Sequence, residues 1–403
     1  MEKIKMGMIG TGRISRSAHL PAHASIRDIL VTGFYDINPD NAAAAREDYF
    51  KYMKEEGRTV EPESAVIYSS AEEMLKHVDA VDICSSLRWH AYYAAMALER
   101  GVACMSEKPM ARTWLEAEQV ANAGIKSDAI FQLNDDNVFL PRYQALRNVV
   151  ESGMIGDVQN VWIARGSHAV SPSRSDWFYD PIESGGGCIF DYGSHAICST
   201  WFIIGFDKKP IEVRAIEMGV YEPTKYRNGR FTKVEVDDNA LFKIRYQDPK
   251  NNDWISVIIE STWVWPRLGK QSSDLRGYIE VQGSTGTAEA CFDESGQEFI
   301  RINNRAFGEK LIPIPSFKSE DQSFKAEISC FAKCVQEGKR SLLDVDVSSQ
   351  TIQIINSAQL SSLKGRVTVD INEINQFNSQ FTGEDVWTRG NDIAYALNAP
   401  YRK

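Results

Sequence analysis

The sequence predicts an α/β chain of two unlike parts: a doubly wound parallel sheet at the N-terminal end, then an α+β domain with a large, mostly antiparallel sheet. Three observations predict it. Strand and helix patterns alternate through the first third of the chain. A glycine-rich turn, Gly10-Thr11-Gly12-Arg13-Ile14-Ser15, joins the first strand to the first helix. After Gly156 the pattern changes to long strands rich in Val, Ile, Trp and Tyr.

Taken in order, residues 5–9 read as a strand, 15–26 as a helix and 29–35 as a second strand. Residues 41–55 are helical, and 65–68 form a short third strand. Helices at 71–76, 90–99 and 113–123 then alternate with strands at 80–84, 102–106 and 130–133. A helix over 142–152 leads away, so the first domain is expected to span 1–137. Strands are predicted at 158–166, 211–221, 240–246, 254–265, 277–282, 287–291 and 299–302. Gly283-Ser284-Thr285-Gly286 has the composition of a hairpin turn. Helices at 184–204, 323–337 and 348–364 are expected to cover one face of that sheet. A second domain over 138–375 follows, with 376–403 as a C-terminal arm. Phe377, Phe381, Trp387, Tyr395 and Tyr401 make this arm too aromatic for a solvated end, which suggests docking on a neighbour. The open face of the sheet also needs a cover, and a homo-oligomer (dimer, tetramer or higher) is expected to supply it.

Composition narrows the function. A chain of 403 residues suits two domains, and 43% hydrophobic with 25% charged residues excludes disorder and fibrous repeats. With a formal net charge of -10 and no basic block, nucleic acid is not an expected partner. The longest apolar stretch, at 197–206, is interrupted by polar residues, so no membrane span is expected. Met1-Glu2-Lys3-Ile4-Lys5 runs straight into an apolar strand, and no secretory leader is expected. Seven cysteines at irregular spacing fit reduced thiols and a cytoplasmic location. Cys330 and Cys334 lie one helical turn apart, but no second Cys or His pair stands near them, and no metal is expected.

The glycine turn sits where a dinucleotide-binding loop of a Rossmann domain belongs. Gly10 permits the tight turn, and Gly12 lets the backbone approach a pyrophosphate at the helix N-terminus. Thr11, Arg13 and Ile14 complete the loop, and Ser15 replaces the third glycine. Asp36 ends the second strand, where a carboxylate would accept hydrogen bonds from both ribose hydroxyls of an adenosine. It would repel a 2'-phosphate, so NAD is expected over NADP, although the Arg13 guanidinium could reach a phosphate. The plain alternative is an ordinary turn followed by a loop charge. The order strand, turn, helix, strand, acid argues against it.

Two further strands end in Ser85-Ser86-Leu87-Arg88-Trp89-His90 and in Glu107-Lys108-Pro109. Carboxyl ends of parallel strands are where ligands bind, so Ser85, Ser86, His90, Glu107 and Lys108 are expected at the cofactor. A strand end leading to a helix with His90, then Glu-Lys-Pro at the next strand end, resembles the glucose-fructose oxidoreductase and inositol dehydrogenase family (Gfo/Idh/MocA). The resemblance spans residues 1–370. It implies that Lys108 contacts the nicotinamide ribose and the substrate hydroxyl, and that a cis Lys108–Pro109 bond is common.

Gly185-Gly186-Gly187 leads into Asp191-Tyr192-Gly193-Ser194-His195. On a helix, Asp191 and His195 share one face. Oxidising a carbinol needs a base for the hydroxyl proton, and the ordinary range of an imidazole suits it. The resemblance makes Asp-x-Gly-x-His the catalytic element: His195 accepts the proton, Asp191 holds the substrate, and Lys108 binds the reacting oxygen. Where relatives often carry another Asp three residues beyond this His, the chain has Cys198. Asn134, His168, Arg174 and Trp177 are further substrate candidates, since aromatics interleaved with polar groups suit a sugar; packing explains Trp177 equally well. The expected activity is NAD-dependent hydride transfer to or from a sugar, glycoside or cyclitol. Two alternatives stand beside it: transient sugar oxidation followed by elimination, and a non-catalytic NAD-sensing regulator.

Overall fold

The computed structural model describes residues 3–167, 175–227, 229–264, 277–293, 295–315 and 321–402. The first sheet is fully parallel: β1 (Ile4–Ile9), β2 (Ile29–Tyr35), β3 (Val66–Ile67), β4 (Ala80–Ile83), β5 (Ala103–Glu107) and β6 (Phe131–Asn134), in the spatial order β3-β2-β1-β4-β5-β6. The order reverses beside β1, which makes its carboxyl end the topological switch point where open α/β sheets bind ligands.

The connecting helices are α1 (Leu20–Ser25), α2 (Pro39–Glu55), α3 (Ala71–Met74), α4 (Leu87–Glu99) and α5 (Trp114–Ser127). Local chemistry starts them. The Asn38 side chain accepts from Asp40 N ahead of Pro39 in α2, and Thr113 with Glu116 forms a reciprocal capping box on α5. One expectation needs correction: residues 15–26 are not a single α-helix, because Ser15–His19 form a π-helical turn before α1 begins. The helix carrying His90 likewise starts three residues earlier, at Leu87.

Beyond this sheet, α6 (Pro141–Glu151) leads to β7 (Val158–Gly166). After it come α7 (Pro181–Ser184), a π-helical turn at Ile189–Gly193 and α8 (Ser194–Ile204). The single helix expected over 184–204 is therefore broken. Gly185, at a φ of 70°, ends α7, and Gly186 and Gly187 carry the chain into the π turn.

Strands β8 (Lys209–Gly219), β9 (Thr224–Arg227), β10 (Arg230–Lys233), β11 (Asn239–Gln247), β12 (Trp254–Thr262), β13 (Tyr278–Gly283), β14 (Gly286–Phe292), β15 (Glu298–Asn304) and β16 (Gly308–Pro313) follow. The chain then forms α9 (Asp321–Glu337), α10 (Val345–Leu363), β17 (Val369–Asp370), α11 (Glu373–Asn378) and α12 (Val386–Leu397). The second sheet has the order β16-β15-β14-β13-β7-β12-β11-β8-β17; β9 and β10 pair as a separate ribbon. All of its pairings are antiparallel except β7 with β12. The predicted Ser284-Thr285 turn joins β13 to β14.

One face of this sheet, with Val161, Ile163, Phe242, Ile244, Val257 and Ile259, is buried with Trp201 and Phe202 of α8. The other carries Trp162, Trp254, Tyr278 and Leu311, all of them exposed in the single chain.

Two compact units result: Met1–Phe139 with Phe317–Ser349, and Leu140–Ser316 with Gln350–Lys403. The division departs from the boundaries expected from sequence. Helix α9, expected on the second sheet, packs against α1, and its Ile328 and Phe331 join the core of Met6, Met8, Leu20, Val31 and Phe34. The C-terminal residues, expected as an arm, fold onto their own unit: α12 packs on α7, with Ile393, Leu397 and Tyr401 buried, and Asn398 Nδ2 donates to Gly185 O at 2.7 Å.

Candidate active site

In the first unit the glycine loop follows β1 directly. Gly10 has a φ of 80°, and a Cβ there would lie 2.5 Å from Ser85 N, so no side chain fits. A Cβ on Gly12 would meet no atom within 4 Å. The fold itself does not demand glycine at 12, but a pyrophosphate drawn close to the backbone does. Thr11 is buried, Arg13 is exposed, and Ile14 packs on the core. Ser15, the substitute for the third glycine, is fully buried at the first residue of the π turn, whose wider i to i+5 spacing accommodates it.

Asp36 is held from four sides. One carboxylate oxygen accepts Thr11 N at 2.7 Å and Thr11 Oγ1 at 3.1 Å; the other accepts Asn38 N at 2.9 Å and Asn41 Nδ2 at 3.3 Å. The charge is thus fixed beside the loop, with the long Asn41 contact the easiest to exchange for a ribose hydroxyl. Gly10, Gly12 and Asp36 together fit an NAD-type dinucleotide.

Ser85 and Ser86 lead from β4 into α4, whose N-cap is Ser86. His90, expected to touch the cofactor, is buried, and its two ring nitrogens lie 2.8 Å from Pro109 O and 3.0 Å from Ser85 O. It ties the β4 loop to the Glu-Lys-Pro loop. Burial pushes its imidazole down, against the upward pull of those carbonyls. Lys108–Pro109 is cis. Lys108 is half-buried, and its backbone N–H donates to Glu107 Oε2 at 3.1 Å. Asn134, expected to touch substrate, is buried at the end of β6, and its Nδ2 donates to Asp82 Oδ1 at 3.2 Å.

In the second unit, Asp191 lies in the π turn and His195 at the start of α8. The turn is built by close approach. A Cβ on Gly187 would fall 1.7 Å from Asp237 O. The buried Asp237 carboxylate accepts Gly187 N at 2.8 Å, Ile189 N at 2.9 Å and the Cys188 thiol at 3.1 Å. Burial pushes Asp237 up to about 6 even though those donors pull it down. Asp191 is buried, and its Oδ2 accepts the Trp263 indole N–H at 2.9 Å. Asp237 and Trp263 are supporting residues that the sequence reading missed. The adjacent acids Asp237-Asp238, embedded between strands, were the available signal for one of them.

Trp177 is half-buried and stacks on Phe178 at 3.9 Å, which makes packing a sufficient reason for it. His168 and Arg174 lie outside the described residues. Thus Gly10, Thr11, Gly12, Asp36, Ser85, Glu107 and Lys108 cluster at strand ends of the first unit, while Asp191 and His195 stand one turn apart in the second.

Comparison with known proteins extends this geometry. Residues 4–135 match the oxidoreductase family with an NAD-binding Rossmann fold, and residues 143–289 match the GFO/IDH/MocA C-terminal domain. Among curated proteins, D-glucoside 3-dehydrogenase of Escherichia coli is 25% identical over 50% of this chain and 54% of its own length, so the chain spans about half of that relative. Inositol 2-dehydrogenase of Rhizobium meliloti is 27% identical over 71% of this chain and 75% of its own. Among solved structures, an oxidoreductase domain protein from Kribbella flavida superposes with a TM-score of 0.76 at 20% identity, covering 92% of this chain and all of that one (100%). Levoglucosan dehydrogenase in complex with NADH and L-sorbose superposes with a TM-score of 0.75 at 18% identity, over 93% and 100%. At such identities the superpositions show a shared fold.

Proposed function

Because the chain belongs to the Gfo/Idh/MocA family of oxidoreductases, we propose that it is an NAD-dependent dehydrogenase acting on a carbinol of a sugar, glycoside or cyclitol. The observation that carries this reading is the pairing of an NAD-type loop, Gly10 to Asp36, with an intact Lys108, Asp191 and His195 set. The names of the relatives, a glucoside and an inositol dehydrogenase among them, favour the polyol class.

The bound nicotinamide supplies a two-electron hydride acceptor or donor. The rest of the chemistry falls to side chains. Lys108 donates a hydrogen bond to the reacting oxygen and lowers the cost of its developing negative charge. His195 removes the hydroxyl proton as the carbinol carbon loses hydride. Asp191, steadied by Trp263, orients the substrate and stabilises the imidazolium that forms. Gly10, Thr11, Gly12, Arg13 and Ile14 hold the pyrophosphate, and Asp36 the adenosine ribose, with Ser85, Ser86 and Glu107 at the adjoining strand ends. The fixed Asp36 charge favours NAD over NADP.

Trp162, Trp254, Tyr278 and Leu311 on the open sheet face support a homo-oligomer formed through that face. Among the described residues no helix is long and apolar enough to cross a membrane. The seven free cysteines favour a reducing, cytoplasmic setting.

The test is incubation with NAD and a panel of glycosides, free sugars and inositols, read as NADH absorbance. Turnover by the wild type, falling by about three orders of magnitude in Lys108→Ala and His195→Ala, is expected. Full activity in either variant contradicts the assignment.

A further inference from the structure

Beneath the Glu-Lys-Pro loop lies a buried polar network that the proposed chemistry does not use. His19, in the π turn after the glycine loop, is fully buried, with Nδ1 2.8 Å from Asp82 Oδ2 and Nε2 2.9 Å from Glu107 Oε1. Asp82 itself receives more donors. His23 Nε2 reaches the same oxygen at 2.8 Å, while Asn134 Nδ2 at 3.2 Å and the Cys84 thiol at 3.5 Å reach the other. With every lone-pair direction filled, Asp82 stays ionised, and an ionised carboxylate only accepts. An imidazole facing carboxylate oxygens from both nitrogens is matched when both nitrogens carry protons.

The electrostatics agree with the geometry. Burial pulls the His19 imidazole down, but the Asp82 carboxylate raises it well above its ordinary value. Asp82 is held well below the carboxylate range by His19 and His23 despite its burial. The groups facing His19 are Asp82 from β4, Cys84 directly after it, Glu107 from β5, and, on α9, the Phe324 ring at 5.4 Å and the Glu327 carboxyl. Glu327 is fully buried with neither oxygen hydrogen-bonded, and burial pushes it well above its usual range, with His19 pulling it down.

We propose that His19 is a positioning residue: a buried cation clamped between Asp82 and Glu107 that fixes the Glu107 side chain and, through it, the backbone of Lys108. The contact chain is continuous. Glu107 Oε1 meets His19, and Glu107 Oε2 accepts the Lys108 N–H at 3.1 Å. A clamp of this kind holds the ammonium-bearing residue in one place before substrate arrives, which is where misplacement is most costly. The inference rests on Lys108 acting in the reaction proposed above.

Two amide variants separate the halves of the clamp. His19→Asn places an amide where Nδ1 stood and serves Asp82; His19→Gln places it where Nε2 stood and serves Glu107. His19→Asn is expected to lower kcat about 100-fold with NAD Kd changed less than about threefold, and His19→Gln to restore most of that loss. Equal losses in both variants, or wild-type kcat in both, overturn the proposal. A second measurement needs no variant to fold and no turnover. In nitrogen-15 NMR of the wild-type protein at about pH 8, both His19 ring nitrogens should carry protons. A neutral His19 there overturns the clamp by itself. A wild type that binds NAD but oxidises no polyol refutes the functional reading instead, and the NMR result still decides the charge on His19.

Discussion

An indole helps to place Asp191. Trp263 donates one hydrogen bond to its carboxylate from a buried position, so Trp263→Phe keeps the ring and removes only the donor. Hydrogen bonds to charged groups contribute about 1.5–3 kcal/mol, and kcat is expected to fall at least tenfold, to about a tenth of wild type or less, with NAD affinity unchanged. Steady-state kinetics with a substrate glycoside checks this, and an unaltered kcat would mean that Asp191 needs no such support. Asp36→Ala should raise the NAD KM about tenfold and let NADP compete, measured with both cofactors. At this scale the sequence was informative where a residue type has one physical purpose, as with Gly10 in its left-handed turn. Asp237 and Trp263 were hidden because each acts through a partner distant in the chain, and no spacing rule reports that. His90 and Asn134, expected as ligand contacts, also bind their own protein: the His90 ring nitrogens face two backbone carbonyls, and Asn134 Nδ2 donates to Asp82.

Both π turns sit at glycine-bearing entries to helices, one after the Gly10–Gly12 loop and one after Gly185–Gly187. Hydrophobic periodicity cannot distinguish them from α-helix over five residues, which is why each was read as part of a longer helix. The two glycine segments nevertheless serve opposite ends. Gly187→Ala drives a methyl into Asp237 O and should cost about 1–3 kcal/mol or more, seen as a lower Tm. Gly12→Ala meets no protein atom, so stability should hold within about 0.5 kcal/mol while NAD affinity, measured by calorimetry, drops sharply. A Gly12→Ala protein that binds NAD normally would remove the loop from the cofactor site.

The chain as a whole was legible as far as local pattern reaches. The alternating elements and the switch to long strands follow from periodicities of 3.6 and 2, which short windows record. The return of residues 317–349 to the first unit was not legible, because α9 is an ordinary amphipathic helix whose partner, α1, lies far away in sequence. That return also brings a buried acid into the first core. Glu327 titrates above its unfolded value, so the folded protein keeps a proton that the unfolded chain releases, and stability is lost as pH rises above the ordinary carboxylate range. Asp237, at about 6, adds a loss of the same sign between about pH 4 and 6. Glu327→Gln removes the first contribution. Its stability relative to wild type, from urea midpoints, should climb between about pH 5 and 8, and a pH-independent difference contradicts the assignment. The reading of this chain as a dehydrogenase that transfers hydride directly is tested most directly by following a label. With a glycoside deuterated at its ring carbinol carbons, the account predicts that deuterium moves from carbon to the nicotinamide ring, one per NADH formed. Deuterium that washes into water, or remains on a product formed without NADH, would contradict it.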